Sequence, residues 1–233
     1  MSAVRPAEAV EIAEWAVAIS ADAPDGPRAS GSLYAVAPAE RAAAASALAA
    51  RGLHVHVDVV IDPTGRHRGL TPDEMRAARE AAPDARLEVH LIVDGAEIDA
   101  CADRAVGETI AAAIETRAAV VMLPPELWAE PGALVTALRS TGIAVWAAIG
   151  PHDAAVVPAD ADGALVMLIE PGTIDIADPA LVDRVAELSG RRAVGVDGGV
   201  TEELAERCIA AGATTIVAGR ALFAAARTGE EQS

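Results

Sequence analysis

Hydrophobic and polar positions follow two periods along this chain, and the switch between them recurs. Leu53 to Ile61 alternates histidine and aspartate with valine and leucine, the period-2 pattern of a strand with two different faces. Residues 5–20 place Ile12, Trp15, Ala16 and Ile19 at i, i+3, i+4 and i+7, one face of a helix. Two prolines and a glycine between Ala21 and Arg28 then read as a linker. An N-terminal helix and linker over 1–28 therefore precede a second unit, 29–233.

In that second unit a strand followed by a helix repeats. Strands are expected at 29–36, 53–61, 87–93, 118–123, 143–149, 164–169, 193–197 and 214–218. Pro38 opens a helix of almost pure alanine that ends at Gly52. Thr71-Pro72-Asp73-Glu74 supplies an N-cap, a proline at the first helical position and a capping-box glutamate. Further helical sequence runs to about Arg117, from Pro131 to Gly142, from Asp178-Pro179 to Gly190, from Thr201 to Gly212 and from Leu222 to Arg227. The segment between the fifth and sixth strands carries Pro151 and Pro158, so its helix has the weakest pattern. Eight such units, several with continuously apolar strands, predict an α/β fold: a (β/α)8 TIM barrel with an extra N-terminal helix. No Gly-x-Gly-x-x-Gly follows the first strand, which counts against a dinucleotide-binding sheet.

Composition narrows the chemistry. Apolar residues make up 52% of the 233 and aromatics only 2%, so the core must be Ala, Val, Leu and Ile. A net charge of −17 argues against nucleic acid or an anionic membrane as partner, while a small anion held by backbone N–H groups stays compatible. All 18 basic residues are arginine; without lysine there is no Schiff-base nucleophile, no pyridoxal-phosphate anchor and no P-loop lysine. Cys101 and Cys208 are too few and too far apart for a disulfide framework or a zinc pair. The first residues lack the pattern of a secretory signal and no apolar run is long enough to span a bilayer, so a cytoplasmic location is expected.

Four strand-like pieces carry residues that bind metals or move protons: His56-Val57-Asp58, Glu88-Val89-His90, Met167-Leu168-Ile169-Glu170 and Val194 to Gly199. In a barrel the carboxyl ends of the strands face the active site, and His56, Asp58, His90, Glu170 and Asp197 fall at or near those ends. His56, Asp58, His90 and Asp197 make a set suited to one divalent ion such as Zn²⁺, Fe²⁺, Mn²⁺ or Co²⁺. The alternative is a pair of interior histidines satisfied by neighbouring aspartates. A metal flanked by two carboxylates, with no lysine and no redox motif, points to enediolate chemistry on a ketose. One aspartate removes a carbon proton and the other returns one to the opposite face, inverting that carbon.

These residues resemble the ribulose-phosphate 3-epimerase family from Ser32 onward. The likeness rests on Leu53 to Val59, on Val89-His90-Leu91-Ile92-Val93, on Leu165 to Gly172, and on Val196-Asp197-Gly198-Gly199-Val200 with Ala211-Gly212-Ala213 and Val217-Ala218-Gly219. The resemblance implies that His56, Asp58, His90 and Asp197 hold the metal, with Asp58 and Asp197 as the acid/base pair. It also implies that Ser32 touches the substrate, a sugar or sugar phosphate. Three departures bear on the substrate. After Asp58 the family's usual Met-Asp-Gly is replaced by Val60-Ile61-Asp62, and Arg66, His67 and Arg68 follow on the loop. Thr173-Ile174-Asp175-Ile176 stands where the family has a Phe-Gly-Gly-Gln phosphate loop, adding a carboxylate. Arg220 replaces a serine after Gly219. Gly198, Gly199 and Gly219 are kept, so backbone N–H groups remain to cradle an anion, with Arg220 adding charge. A barrel that binds a sugar or other small ligand without turnover is the second reading. Barrels of this kind often associate as homo-oligomers, for which Trp15 and Trp128 are contact candidates; packing against their own helices is the plainer role for both.

Overall fold

The protein is described by a computed structural model over residues 10–21, 26–94, 100–128, 133–173 and 175–223. Eight parallel strands close a barrel in chain order: β1 Arg28–Ser32, β2 His54–Ile61, β3 Leu87–Val93, β4 Val120–Leu123, β5 Ala144–Ile149, β6 Gly163–Met167, β7 Ala193–Asp197 and β8 Thr215–Ala218. Closure is made where β1 pairs with β8, Gly31 against Ala218. Helix α1 is Glu14–Ala21; α2 Arg41–Ala50, α3 Pro72–Ala81, α4 Ala100–Glu115 and α5 Ala133–Ser140 follow the first four strands. Helices α6 Val182–Ser189 and α7 Glu202–Ala210 follow β6 and β7. Among the described residues no helix is long and apolar enough to cross a membrane.

The predicted elements are present, with four differences. The N-terminal helix begins at Glu14, and Ile12 is buried ahead of it, outside the helix; the part of the predicted helix before Val10 lies outside the described residues. Helix α1 is tied to the barrel by Ser20 Oγ accepting from Ala29 N at 3.0 Å and by Ala13 N donating to Leu222 O at 2.9 Å. Strand β1 stops at Ser32, and Leu33–Ala35 turn as 3₁₀ helix instead of continuing to residue 36. No helix connects β5 to β6: Pro151 and Pro158 remove backbone donors from the intervening stretch, and turns replace it. The last predicted helix falls mostly on residues outside the description; Leu222 and Phe223 lie in a turn.

The capping box is formed as read. Thr71 Oγ1 accepts from Glu74 N at 3.2 Å while Glu74 Oε2 accepts from Thr71 N at 2.9 Å, so two free helix-end donors are satisfied together. Outward-facing Val55, Val57, Val59 and Ile61 of β2 are fully buried against the helical layer. That continuous apolar burial fixes the register, since a one-residue slip would drive histidine and aspartate into the helix interface.

Inside the barrel the lining divides in two. Strands β4, β5, β6 and β8 contribute Val120, Met122, Trp146, Ala148, Leu165, Met167 and Val217, packed as one apolar cluster. Trp146 occupies so much of that space that a Cβ on Gly163 would sit 2.4 Å from its ring. Strands β1, β2 and β3 instead bury Ser30, Ser32, His56, Asp58, Glu88 and His90. Burying polar groups is unfavourable unless they pair with one another, so this half of the interior must be internally bonded or hold a ligand.

Candidate functional site

Parallel register sets the first contacts. Ser32 pairs with His56 across β1 and β2, while Asp58 pairs with His90 and His56 with Glu88 across β2 and β3. Because side chains two apart share a face, His56 and Asp58 point inward together, as do Glu88 and His90. Asp197, the last residue of β7, enters from across the barrel.

Ligand atoms of His56, Asp58, His90 and Asp197 all lie within 4.8 Å of one another. Asp58 Oδ1 is 3.3 Å from His56 Nε2 and 3.3 Å from His90 Nδ1; Asp197 Oδ2 is 3.9 Å and 3.6 Å from the same two nitrogens. Ser32 Oγ donates to Asp58 Oδ2 at 2.6 Å. The two imidazole rings stand 5.9 Å apart and tilted by 59°, so they converge without stacking.

The electrostatics call for a cation. Burial would lower the pKa of His56, but Asp58, Glu88 and Asp197 around it hold it well above the ordinary value. His90 behaves likewise: burial opposes the charge, and Asp197 and Asp58 outweigh it. Burial pushes Asp58 upward, yet His56 and His90 keep it well below the usual carboxylate range. Two carboxylates and two imidazoles thus crowd one buried spot, which a bound cation would hold together. A divalent ion fits here: the donors are hard oxygens and borderline nitrogens, and buried His56 Nε2 has no hydrogen-bond partner. Pairing with aspartates alone, the plainer reading of the histidines, leaves that nitrogen unsatisfied.

Asp58, Asp197 and Ser32 form part of the wall of a cavity of 750 Å³, together with Gly198, Gly199, Gly219 and Arg220. Gly198 and Gly199 both adopt left-handed backbone, φ 102° and 64°, which lets the chain turn sharply after Asp197. A Cβ on Gly198 would lie 2.5 Å from Ile169 Cγ1, so the glycine is required for space as well as for φ. A second cavity, 460 Å³, shares Met167 and Gly172 with the first and reaches His90, Arg68 and Glu170.

Other sequence candidates lie elsewhere. Glu170 is exposed just past β6, outside the metal-suited cluster. Arg66 pairs with Asp62 at 3.0 Å on its own loop and His67 Nε2 meets Thr109 at 3.3 Å, so neither reaches the cavity walls. Arg68 binds Asp94 at 3.1 Å at the second cavity. Asp175 is exposed and accepts from Thr173 Oγ1 at 3.0 Å. Trp128 is half-buried and donates to Leu123 O at 3.2 Å, which occupies its polar edge; Trp15 packs against the core. Cys208 is buried, and burial pushes its thiol up to about 11. What sequence reasoning passes over is Glu88, quoted only as the start of the His90 strand. Its signal is the i, i+2 spacing to His90, the same spacing that singled out His56 and Asp58.

Among curated proteins none matches the chain. Solved structures share its fold. Phosphoribosyl anthranilate isomerase from Thermus thermophilus superposes with a TM-score of 0.56 at 20% identity over 83% of this chain and 88% of that one. N-acetylmannosamine-6-phosphate 2-epimerase from Clostridium perfringens gives 0.57 at 13% identity, over 83% and 86%. Tryptophan synthase from Pyrococcus furiosus gives 0.57 at 15%, over 86% and 89%. At these identities the likeness is one of architecture. The model of the ribulose-phosphate 3 epimerase family, however, matches residues 30–223, strands and site together, and the chain belongs to that family.

Proposed function

We propose that this protein is a metal-dependent epimerase that inverts the carbon next to the carbonyl of a ketose phosphate, with Asp58 and Asp197 as its proton carriers. The observation that carries this reading is the meeting of two aspartates and two histidines within 4.8 Å at the wall of a cavity large enough for a sugar phosphate. Family membership supports it. His56, Asp58, His90 and Asp197 would hold the ion. Such an ion, when bound, supplies Lewis-acid stabilisation of the negative charge that an enediolate carries.

The residues account for the rest. Asp58 turns one oxygen toward its histidine neighbours and lines the cavity, where it would take a proton from the substrate. Asp197 enters from β7, so the two carboxylates reach the cavity from different strands. One takes the proton as the C–H bond breaks and the other delivers a proton to the opposite face as the new C–H bond forms, so the pair ends each turnover with its protons exchanged. Ser32 fixes Asp58 by binding its second oxygen. Gly198, Gly199, Gly219 and Arg220 line the part of the cavity suited to the anionic end of the substrate. Water-excluding walls come from Ile92, Met167 and Ile169.

One observation favours the second reading, a barrel that binds a sugar without turning it over. Thr173 and Asp175 stand on the loop beside Gly199, where a carboxylate disfavours phosphate. Solvent-deuterium incorporation separates the two. Protein supplied with Zn²⁺, Mn²⁺ or Co²⁺ is incubated in D₂O with a panel of phosphorylated and free ketoses, with Asp197→Asn as control. Deuterium entering at the carbon next to the carbonyl, lost in Asp197→Asn, is expected. Binding of a sugar with no exchange anywhere on the panel would leave a binding protein.

A further inference from the structure

Among the described residues, Glu88 is the one carboxylate buried in the barrel interior that the proposed chemistry leaves without a role. It is fully buried, on β3, beside His56 in register. Its Oε1 is 2.9 Å from His54 Nδ1, and the half-exposed Arg86 guanidinium lies 3.6 Å away. Its other oxygen, Oε2, has no hydrogen-bond partner and faces His56 Nδ1 at 3.8 Å, which has none either. Two complementary buried groups without other partners thus point at each other, while the opposite nitrogen of His56 faces Asp58 and Asp197. His54 stands at the amino end of β2, with only a small part of its side chain exposed. His54, Glu88 and His56 therefore form a chain from the amino mouth of the barrel to the four-residue cluster.

We infer that Glu88 is a positioning residue: its carboxylate accepts the Nδ1 proton of His56 and so turns Nε2 toward the metal-suited cluster, with His54 holding Glu88 from below. The chemistry is general. An imidazole has two nitrogens, and a carboxylate fixed behind one of them decides which carries the proton and which is left to bind a cation. Burial makes the arrangement strong. Glu88 is shielded from solvent, and neither its Oε2 nor His56 Nδ1 has another hydrogen-bond partner. The inference concerns the metal site of the proposed function, but the Nδ1 contact itself does not depend on that function.

The decisive measurement is made on metal-free protein labelled with ¹⁵N-histidine. A hydrogen-bonded, exchange-protected proton on His56 Nδ1 is expected far downfield, and Glu88→Gln should move it upfield. Its absence from the wild-type spectrum overturns the inference even if the variant fails to fold. Titration with Co²⁺ supplies a second readout, the visible spectrum. Glu88→Gln should weaken Co²⁺ binding by roughly 10–100-fold at unchanged far-ultraviolet circular dichroism, and His54→Gln should weaken it by less. Binding by Glu88→Gln within twofold of wild type also overturns it. Wild-type protein that shows the Nδ1 proton yet takes up no Co²⁺ would retain the positioning role and remove the metal-dependent epimerase instead.

Discussion

Ser32 and Asp58 are joined by a 2.6 Å hydrogen bond between strands β1 and β2, donated by the hydroxyl to Asp58 Oδ2. The other oxygen of Asp58 faces both histidines, so one carboxylate is divided between a fixed side and a working side. Replacing Ser32 by Ala leaves a buried carboxylate oxygen without its donor. A bond to a charged group contributes about 1.5–3 kcal/mol. Ser32→Ala should lose stability of that order in urea unfolding and slow deuterium exchange by roughly tenfold. Exchange at the wild-type rate would show that Oδ2 needs no fixing.

The two aspartates should behave as a pair in kinetics. Asp58→Asn and Asp197→Asn should each lower exchange into the ketose by about 10²–10⁴-fold, the usual contribution of a positioned proton carrier. Both changes remove a metal donor as well, so metal content must be measured alongside. Loss of exchange in protein that still holds metal isolates the proton role.

Chelation should abolish exchange and one divalent ion should restore it. A ligand at one hundred times its dissociation constant stabilises the folded state by about 2.7 kcal/mol. Chelator-treated protein should therefore melt at a higher temperature once Co²⁺ or Zn²⁺ is added. His90→Gln, which removes one of the four donors, should shrink that rise. An unchanged melting temperature across a metal titration would count against the site.

Acid sensitivity should appear away from the cavity, at the start of α3. Burial alone would raise the Glu74 pKa; hydrogen bonds from the Thr71 backbone and hydroxyl and from Arg41 more than offset it, holding it below the ordinary value. Its folded carboxylate therefore gives up a proton more readily than the unfolded one. The stabilisation is present in full above the unfolded value and is lost as pH falls through the folded one. Glu74→Gln should cost about 1 kcal/mol at pH 7, and the gap between variant and wild type should narrow toward pH 3. A gap that widens in acid would reverse the sign.

Gly198→Ala should be among the more damaging single changes. Its φ of 102° strains any residue with a Cβ, and that Cβ would also meet Ile169. Strain of this kind costs about 1–3 kcal/mol. Urea unfolding should show the loss, and inorganic phosphate should bind more weakly.

Strand β2 was the most legible part of the chain because its two faces differ so sharply: valines meet the helices and His54, His56 and Asp58 meet the interior. Period-2 alternation carries that information without knowledge of the partners. Apart from the family resemblance, the convergence of Asp197 with β2 was legible through the count of eight repeats, since closure brings β7 across to β2. Two features were not readable. Strand β1 ends at Ser32 and the chain turns there, setting Tyr34 and Ala35 on the cavity wall, although Leu33 to Val36 has strand-like composition. Glu88 was hidden because a glutamate in a strand usually faces water, and only the barrel shows that this face is closed.

The division of the barrel lining has a further consequence. The buried ionisable side chains enter from β2 and β3, while the cavity wall is completed by Met167 of β6 and by the turns after β6, β7 and β8. Reactivity and fit are thus written largely on different stretches of chain, which meet where Asp197 adjoins Gly198 and Gly199. Substitutions that share no contacts usually combine additively. Changes of bulk in the turns that complete the cavity can therefore alter which sugar fits while His56, Asp58 and His90 keep their mutual contacts.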